Sequence, residues 1–390
     1  MKKVLFISSQ PFFQWRGSPI RVGFDVRVLA EAGFAVDLLT LPIGDSKEIT
    51  GVRVIRTPNL FLVKNVPIGP SLAKAAFDVL LFFHGILLIV RNRYSVIHCV
   101  EDAGVIGVAL SRIARVPLVF EKHSDPLSYG KGRFRNILMK IYGRVEVFVA
   151  RCAAATIGTG QGLVDQLLAM GTGRPVHHIF DIPSSLTRAT PEKTAAVRNT
   201  LKHEPNEMLI MFVGSFAVYQ GVDLILESVA KVVSLHSNAR FIIIGGTSAE
   251  IAARKKIVDA AGCSSAVSFI GKVHPDKLPN YLAAADILLS PRLAGVNTPL
   301  KILDYLKAGR AIVATDTESN RLILDRGIAL LAKPDSNAFA EAICALLSND
   351  SLKNELARKG HDLIENLYNF EEFKRRLIAC YDEILETKEK

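Results

Sequence analysis

The stretch Ser290-Pro291-Arg292-Leu293-Ala294-Gly295-Val296-Asn297-Thr298-Pro299-Leu300-Lys301-Ile302-Leu303-Asp304-Tyr305-Leu306 reads as a strand end, a loop and a helix. Residues 285–290 are apolar and bounded by turn residues, which marks a buried strand. Thr298 is expected to cap the helix, and Pro299 to fill its first position, where a missing N–H costs nothing. Leu300, Leu303 and Leu306 give that helix an apolar stripe. A loop that enters a helix straight after a buried strand leaves backbone N–H groups around residues 296–300 without intrahelical partners. Their partial positive charge suits a phosphate. Lys301 adds a full charge in the first turn, and Asp304, one turn on, is placed to accept hydrogen bonds from ligand hydroxyls. An ordinary strand–helix corner would show the same features, so this stretch alone leaves both readings open.

Outward from this corner, the chain is long enough for two domains, with 390 residues of which 49% are hydrophobic. The formal charge of +10 is uneven. Residues 1–185 hold 22 Lys and Arg against 13 Asp and Glu, and residues 186–390 hold 26 against 25. The first half is therefore expected to meet something anionic, such as a phosphorylated substrate or a lipid headgroup. No aromatic RNA-reading motif is present, so no nucleic-acid partner is expected. Cys99, Cys152, Cys263, Cys344 and Cys380 are widely spaced and form no C-x-x-C pair, which fits buried thiols in a reducing cytosol rather than a disulfide frame or a zinc site. Residues 77–90 are the most apolar segment. They are too few for a membrane span, which needs about 20 residues, and read as a buried or surface-seated helix.

Short apolar runs alternate with helical patterns throughout, which predicts two mostly parallel doubly wound sheets. Strands are expected at 4–8, 35–40, 52–56, 96–100, 118–121, 154–158 and 176–179, and then at 208–213, 241–244, 267–270, 285–290, 311–314 and 328–331. Residues 251–261 are expected to be helical. The polar stretch 181–191 reads as a linker. The expected domains are 1–185 and 186–366, and 367–390 is a final helix with Phe373, Leu377, Ile378, Tyr381 and Ile384 on one face. Ligands of such sheets sit outside the carboxyl ends of the strands, and pockets favour domain interfaces.

The arrangement resembles a glycosyltransferase of the GT-B fold, in the large retaining family numbered four. The resemblance rests on Phe212-Val213-Gly214-Ser215-Phe216 with Tyr219-Gln220-Gly221, on Phe241-Ile242-Ile243-Ile244-Gly245-Gly246, and on Phe269-Ile270-Gly271-Lys272-Val273 followed by Leu278-Pro279-Asn280-Tyr281. It rests also on the opening stretch with Lys307-Ala308-Gly309 after it, and in the first half on Gly17-Ser18-Pro19, Val96-Ile97-His98 and Lys122-His123-Ser124-Asp125. It implies an α/β fold of two Rossmann-like doubly wound domains facing a cleft, with the last helix packing back on the first domain and hinges near residues 181–191 and 366. The activity it implies is transfer of a sugar, with retention, from a nucleotide-diphosphate-sugar to a polysaccharide or lipid-linked glycan. A non-catalytic sugar-nucleotide or glycan-binding protein, or a sugar-nucleotide epimerase, would share the fold.

By the same resemblance the donor is held by Gly17, Ser18, Gly214, Ser215, Gln220, Gly271, Val273, Asn297, Thr298, Pro299, Leu300 and Asp304. His123 and Lys301 are the catalytic candidates, His123 as a polar hydrogen-bonding group beside the donor sugar. Two departures stand out. Ser215 and Gln220 replace an Arg and a Lys that usually touch the diphosphate, and Val296 stands eight residues before Asp304 where a glutamate is usual. The growing negative charge on the leaving diphosphate must be stabilised, so it falls to Lys301, Lys272, Arg16 or Arg21. No acidic pair follows an apolar strand, so no metal and no obligatory cofactor are expected beyond the nucleotide-diphosphate-sugar itself. Residues 134–151 form an amphipathic helix flanked by Lys131, Arg133, Arg135, Lys140, Arg144 and Arg151. Such a helix either packs on a core with a solvated basic side or seats on an anionic membrane surface. The expected location is cytoplasmic, peripheral on the inner face of the membrane.

Overall fold

The computed structural model describes residues 1–12, 17–44, 48–60, 63, 72–125, 133–295 and 299–389, with only the backbone course of 72–73, 133–138 and 387–389. The chain forms two compact units, Met1–Asp181 with Glu371–Lys390, and Ile182–Phe370.

The first unit runs β1 (Lys3–Ser8), α1 (Gly17–Glu31), β2 (Ala35–Thr40), β3 (Val52–Arg56), α2 (Leu72–Arg91), β4 (Val96–Val100), α3 (Gly104–Ala114), β5 (Leu118–Lys122), α4 (Arg133–Cys152), β6 (Ala155–Gly158), α5 (Gln161–Ala169) and β7 (Val176–His178). The second runs α6 (Pro191–Leu201), β8 (Met208–Val213), α7 (Val222–Leu235), β9 (Ala239–Ile244), α8 (Ser248–Ala260), β10 (Val267–Gly271), α9 (Leu278–Ala284), β11 (Ile287–Ser290), α10 (Leu300–Lys307), β12 (Ala311–Thr315), α11 (Glu318–Arg321), β13 (Leu330–Ala332), α12 (Ser336–Ser348) and α13 (Asp350–Asn366). The last helix, α14, spans Phe370–Glu389.

Both sheets are parallel. Their strand orders are β3-β2-β1-β4-β5-β6-β7 and β10-β9-β8-β11-β12-β13. Each order reverses once, between β1 and β4 and between β8 and β11, and these switch points are where open α/β sheets hold ligands. Parallel strands covered on both faces read as continuous apolar runs, and β8 shows why. Leu209 and Met211 join Ile302, Leu303 and Leu306 on one face, while Ile210 and Phe212 join Ile225 and Val229 on the other. In the first unit, α14 buries Phe373, Leu377 and Tyr381 completely, with Phe373 edge-on to Phe24 and Tyr381 edge-on to Phe34. Among the described residues no helix is long and apolar enough to cross a membrane.

Several boundaries differ from the sequence reading. Gly17 and Ser18 open α1. Pro299 is the N-cap of α10, one residue later than expected, and Asn297 and Thr298 lie outside the described residues, as do Arg16, Lys131 and Val296. The strand expected from 285 begins at Ile287, because the Asp286 carboxylate is spent on Arg198 and on the Leu209 N–H. The helix expected from 251 begins at Ser248, since Thr247 and Glu250 form a reciprocal capping box. The final strand of the second sheet is shifted to Leu330–Ala332.

Candidate functional site

In the second unit, three loops meet at the carboxyl ends of β8, β9 and β11. Gly214 N–H donates to the Ile244 carbonyl and Gly245 N–H to the Gly271 carbonyl. Gly245 has φ +124°, and a Cβ there would sit 1.9 Å from the Gly214 oxygen. Gly221, at φ +70°, would bring a Cβ to 1.9 Å from the Pro291 oxygen. Both positions need glycine for conformation and for space. These close approaches bring the loop after β8 against the loop after β11, and with it Gln220 against Lys301.

The Lys301 ammonium donates to Gln220 Oε1 at 2.7 Å and lies 4.3 Å from the centroid of the Phe212 ring. Burial, with help from the charge of Arg292, lowers its pKa to about 7. A lysine in this state accepts a proton readily when an anion arrives. Gln220 stands where the resemblance leads one to expect a lysine, and the structure uses it to orient the cation supplied by α10. Ser215 is exposed beside Gly214, and Val273 packs on the core below α9. The first N–H groups of α10, at Leu300 and Lys301, lie in the opening turn, where helix geometry gives them no intrahelical partner.

Asp304, one turn further along α10, is held by Ser184. Its two oxygens accept from the backbone N–H and the hydroxyl of Ser184, at 2.7 and 2.8 Å. Burial raises its pKa to about 6 against those hydrogen bonds. It lines a cavity of about 200 Å³ with Ser184, Leu278, Lys307, His361 and Glu365.

In the first unit, the residues at the strand ends form a buried polar cluster. Glu121 of β5 is fully buried and lies 2.9 Å from Arg21 Nη2, 3.2 Å from His123 Nε2 and 3.0 Å from His98 Nε2. Arg21 also donates to the carbonyls of Ile179 and Phe180 and reaches Asp25 and Asp181, each at 3.4 Å. The expectation that Arg21 could serve a diphosphate is corrected here: its guanidinium is spent on internal partners. Although burial opposes ionisation, Arg21 and His123 hold Glu121 well below the usual carboxylate range. Burial and the Glu121 charge push the Asp25 carboxyl well up from its usual range, against the pull of Arg21. Burial works against a charge on His123, Glu121 works for it, and the net shift is upward. One ligand atom each from Asp25, Glu121 and His123 lie within 4.8 Å of one another, a spacing that could hold a metal ion. The guanidinium of Arg21, between two of them, already supplies positive charge there. His98 is a core residue, stacked on Phe6 with centroids 4.2 Å apart.

Beside this cluster, α2, α3 and α4 enclose a groove of about 660 Å³ lined largely by apolar side chains, among them Val79, Phe83, Val105, Ile106, Val145 and Val149. Its inner end is polar: Lys74 and Tyr142 both bond to Asp102, and Lys122 pairs with Glu146 at 2.5 Å. Phe83 is 64% and Val79 55% exposed.

Glu121, Asp25 and Glu101 were not singled out from the sequence. An acid inside an apolar strand was the available signal for Glu121. Glu101 has φ 49°, a left-handed backbone for a non-glycine residue directly after β4, and bonds to Gln10 and Ser124. No sequence pattern announces that.

Residues 17–180 match the family model described as glycosyl transferase 4-like domain, and residues 207–349 match that of glycosyl transferases group 1. A phosphatidyl-myo-inositol mannosyltransferase of Mycobacterium leprae is 21% identical over 374 residues, covering 93% of this chain and 89% of that protein. Among solved structures, sucrose-phosphate synthase from Thermosynechococcus elongatus superposes with a TM-score of 0.80 at 18% identity, covering 99% of this chain and 100% of that one. HepE from Anabaena, in complex with UDP and glucose, superposes with a TM-score of 0.75 at 16% identity, covering 98% and 100%.

Proposed function

Because this chain is a glycosyltransferase of family 4 with the GT-B fold, we propose that it transfers a sugar, with retention of configuration, from a nucleotide-diphosphate-sugar held by its second unit to a lipid-linked glycan bound by its first. The observation that carries this reading is the Gln220–Lys301 pair at the switch point of the second sheet. The diphosphate is taken by Lys301 and by the N–H groups of Leu300 and Lys301, with Pro299 closing the turn. Gly214 and Gly271 let the donor approach the backbone, and Ser215 adds a hydroxyl. Asn297, Thr298, Gly17, Ser18 and Val273 keep the donor roles that the resemblance gives them. Asp304 receives a donor hydroxyl on lone pairs that Ser184 leaves open, since a carboxylate can accept about four hydrogen bonds. Developing charge on the leaving diphosphate is met by fixed donors and one cation, so this mechanism calls for no metal. His123 donates a hydrogen bond to the donor sugar.

The uridine diphosphate in the HepE structure makes UDP the first nucleotide to try. A thermal-shift series with UDP, GDP, ADP and their glucose conjugates tests the donor site. A ligand at 100 times its dissociation constant stabilises by about 2.7 kcal/mol. The expected result is a rise in Tm with one base family. A flat response across the series would remove the donor assignment from these residues.

The groove between α2, α3 and α4 supports a lipid as the carrier of the acceptor. Contiguous apolar surface of this kind marks an interaction site, and two of the helices that form it carry exposed cations, Lys140 and Arg144 on α4 and Arg91 on α2. The same cations suit an anionic membrane surface. The protein is expected to sediment with vesicles containing phosphatidylglycerol and not with phosphatidylcholine alone, and Phe83→Asp and Val145→Asp are expected to abolish this. Undiminished sedimentation of both variants would sink the lipid reading.

A further inference from the structure

Glu121 sits where four elements of the first unit converge. Its Oε1 faces Arg21 of α1 and His123, and its Oε2 faces His98 of β4. Across His98, Nδ1 lies 2.8 Å from the hydroxyl of Tyr381 on α14. A carboxylate only accepts, so His98 must carry its proton on Nε2. His98 Nδ1 then accepts from Tyr381, and His123 Nε2 lies 3.2 Å from Glu121 Oε1 as an ion pair. Tyr381 thus reaches Glu121 through His98, and His123 faces the other oxygen of the same carboxylate.

We infer that Glu121 is a positioning residue for sugar transfer: it orients the ring of His123 and keeps it protonated as a hydrogen-bond donor, and Tyr381 on the C-terminal helix locks Glu121 in place through His98. This rests on the proposed role of His123 beside the donor sugar. A histidine held in its charged form is a poor general base and a strong donor, so the geometry assigns His123 hydrogen bonding rather than proton shuttling. Among the described residues, the other charged or titratable groups around the ring are Arg21 and Asp25 from α1, Glu101 after β4 and Asp181 after β7. Asp25 and Asp181 are both pushed up by burial, whereas Glu121, the nearest of the three to His123 among the printed contacts, is held low.

The test uses the full chain with ¹⁵N-labelled histidine, the His123 signal being assigned by its loss in His123→Gln. Removing an opposite charge at this distance shifts a titration by about 1 pH unit or more. In Glu121→Gln the His123 midpoint is therefore expected to fall by at least that much. In Tyr381→Phe, which deletes one hydroxyl, it should fall by less in the same direction while the His98 signal moves. If Glu121→Gln does not fold, Tyr381→Phe decides. A His123 midpoint that stays put in a folded variant overturns the inference. The pH profile of UDP-glucose turnover, with kcat and KM separated, is the second readout. The alkaline limb of kcat should move down with the NMR midpoint while KM holds, and an unmoved limb overturns the inference. Absence of UDP-glucose turnover in the unaltered protein would count against that donor, while the coupling would still stand or fall on the NMR midpoints.

Discussion

Replacing Lys301 with methionine is expected to weaken nucleotide-diphosphate binding by about 10–100-fold, the weight of one or two charge-assisted hydrogen bonds, without lowering Tm. The two halves of this result have one cause. Lys301 is half-buried against Phe212 with one hydrogen-bond partner among the described residues, the neutral Gln220, and burial brings its pKa to about 7. Its ammonium therefore costs stability in the free protein and gains its partner when the diphosphate binds. Methionine keeps the stem's packing and removes that cost. The pH dependence follows. Between about 7 and the unfolded lysine value near 10.4 the unfolded chain binds more protons than the folded one, so this group makes stability rise with pH across that window. Lys301→Met should flatten that rise. Diphosphate binding at pH 8 should take up close to one proton, because the anion returns Lys301 to its charged form. Calorimetry of UDP binding in two buffers of different ionisation enthalpy measures this. Equal apparent enthalpies in both buffers, or undiminished affinity in the variant, would refute the role of Lys301.

Arg21→Met is expected to cost about 3–5 kcal/mol, the price of leaving buried carboxylates without their cation. That is a large part of the roughly 5–15 kcal/mol by which a domain is stable. Arg21 is 3% exposed and serves Glu121, Asp25, Asp181 and two carbonyls at once. Arg21→Lys should recover little, since a single ammonium cannot reproduce a planar fork of donors. Urea unfolding followed by circular dichroism should show a transition moved to much lower denaturant in both variants. A midpoint within error of the unaltered protein would show that the acids neutralise by taking up protons at small cost.

These two residues also divide what was legible. Lys301 follows a strand, a glycine-bearing loop and a proline, and this local order was enough to name it. Arg21 looked like one more cation near a helix start. Its three acids lie at residues 25, 121 and 181, and only the closed sheet brings them together. Gln220 and Asp304 show the same division. Sequence placed both near the donor, yet Gln220 meets Lys301 across 81 residues and Asp304 meets Ser184 across 120.

By itself the sequence determined the alternation of buried strands and helices, the parallel character of both sheets, and the loops whose glycines let backbones touch. Those properties are local: apolar runs, caps and left-handed turns are decided within a few residues. The tertiary structure alone decided the strand order, the switch points, and which charges neutralise one another. A buried charge is stable only beside a partner, and partners distant in sequence become neighbours only when the sheet has closed and α14 has docked on β4. Glu121 is the clearest case: its sequence neighbours say strand, and its role is set by Arg21, His98 and Tyr381.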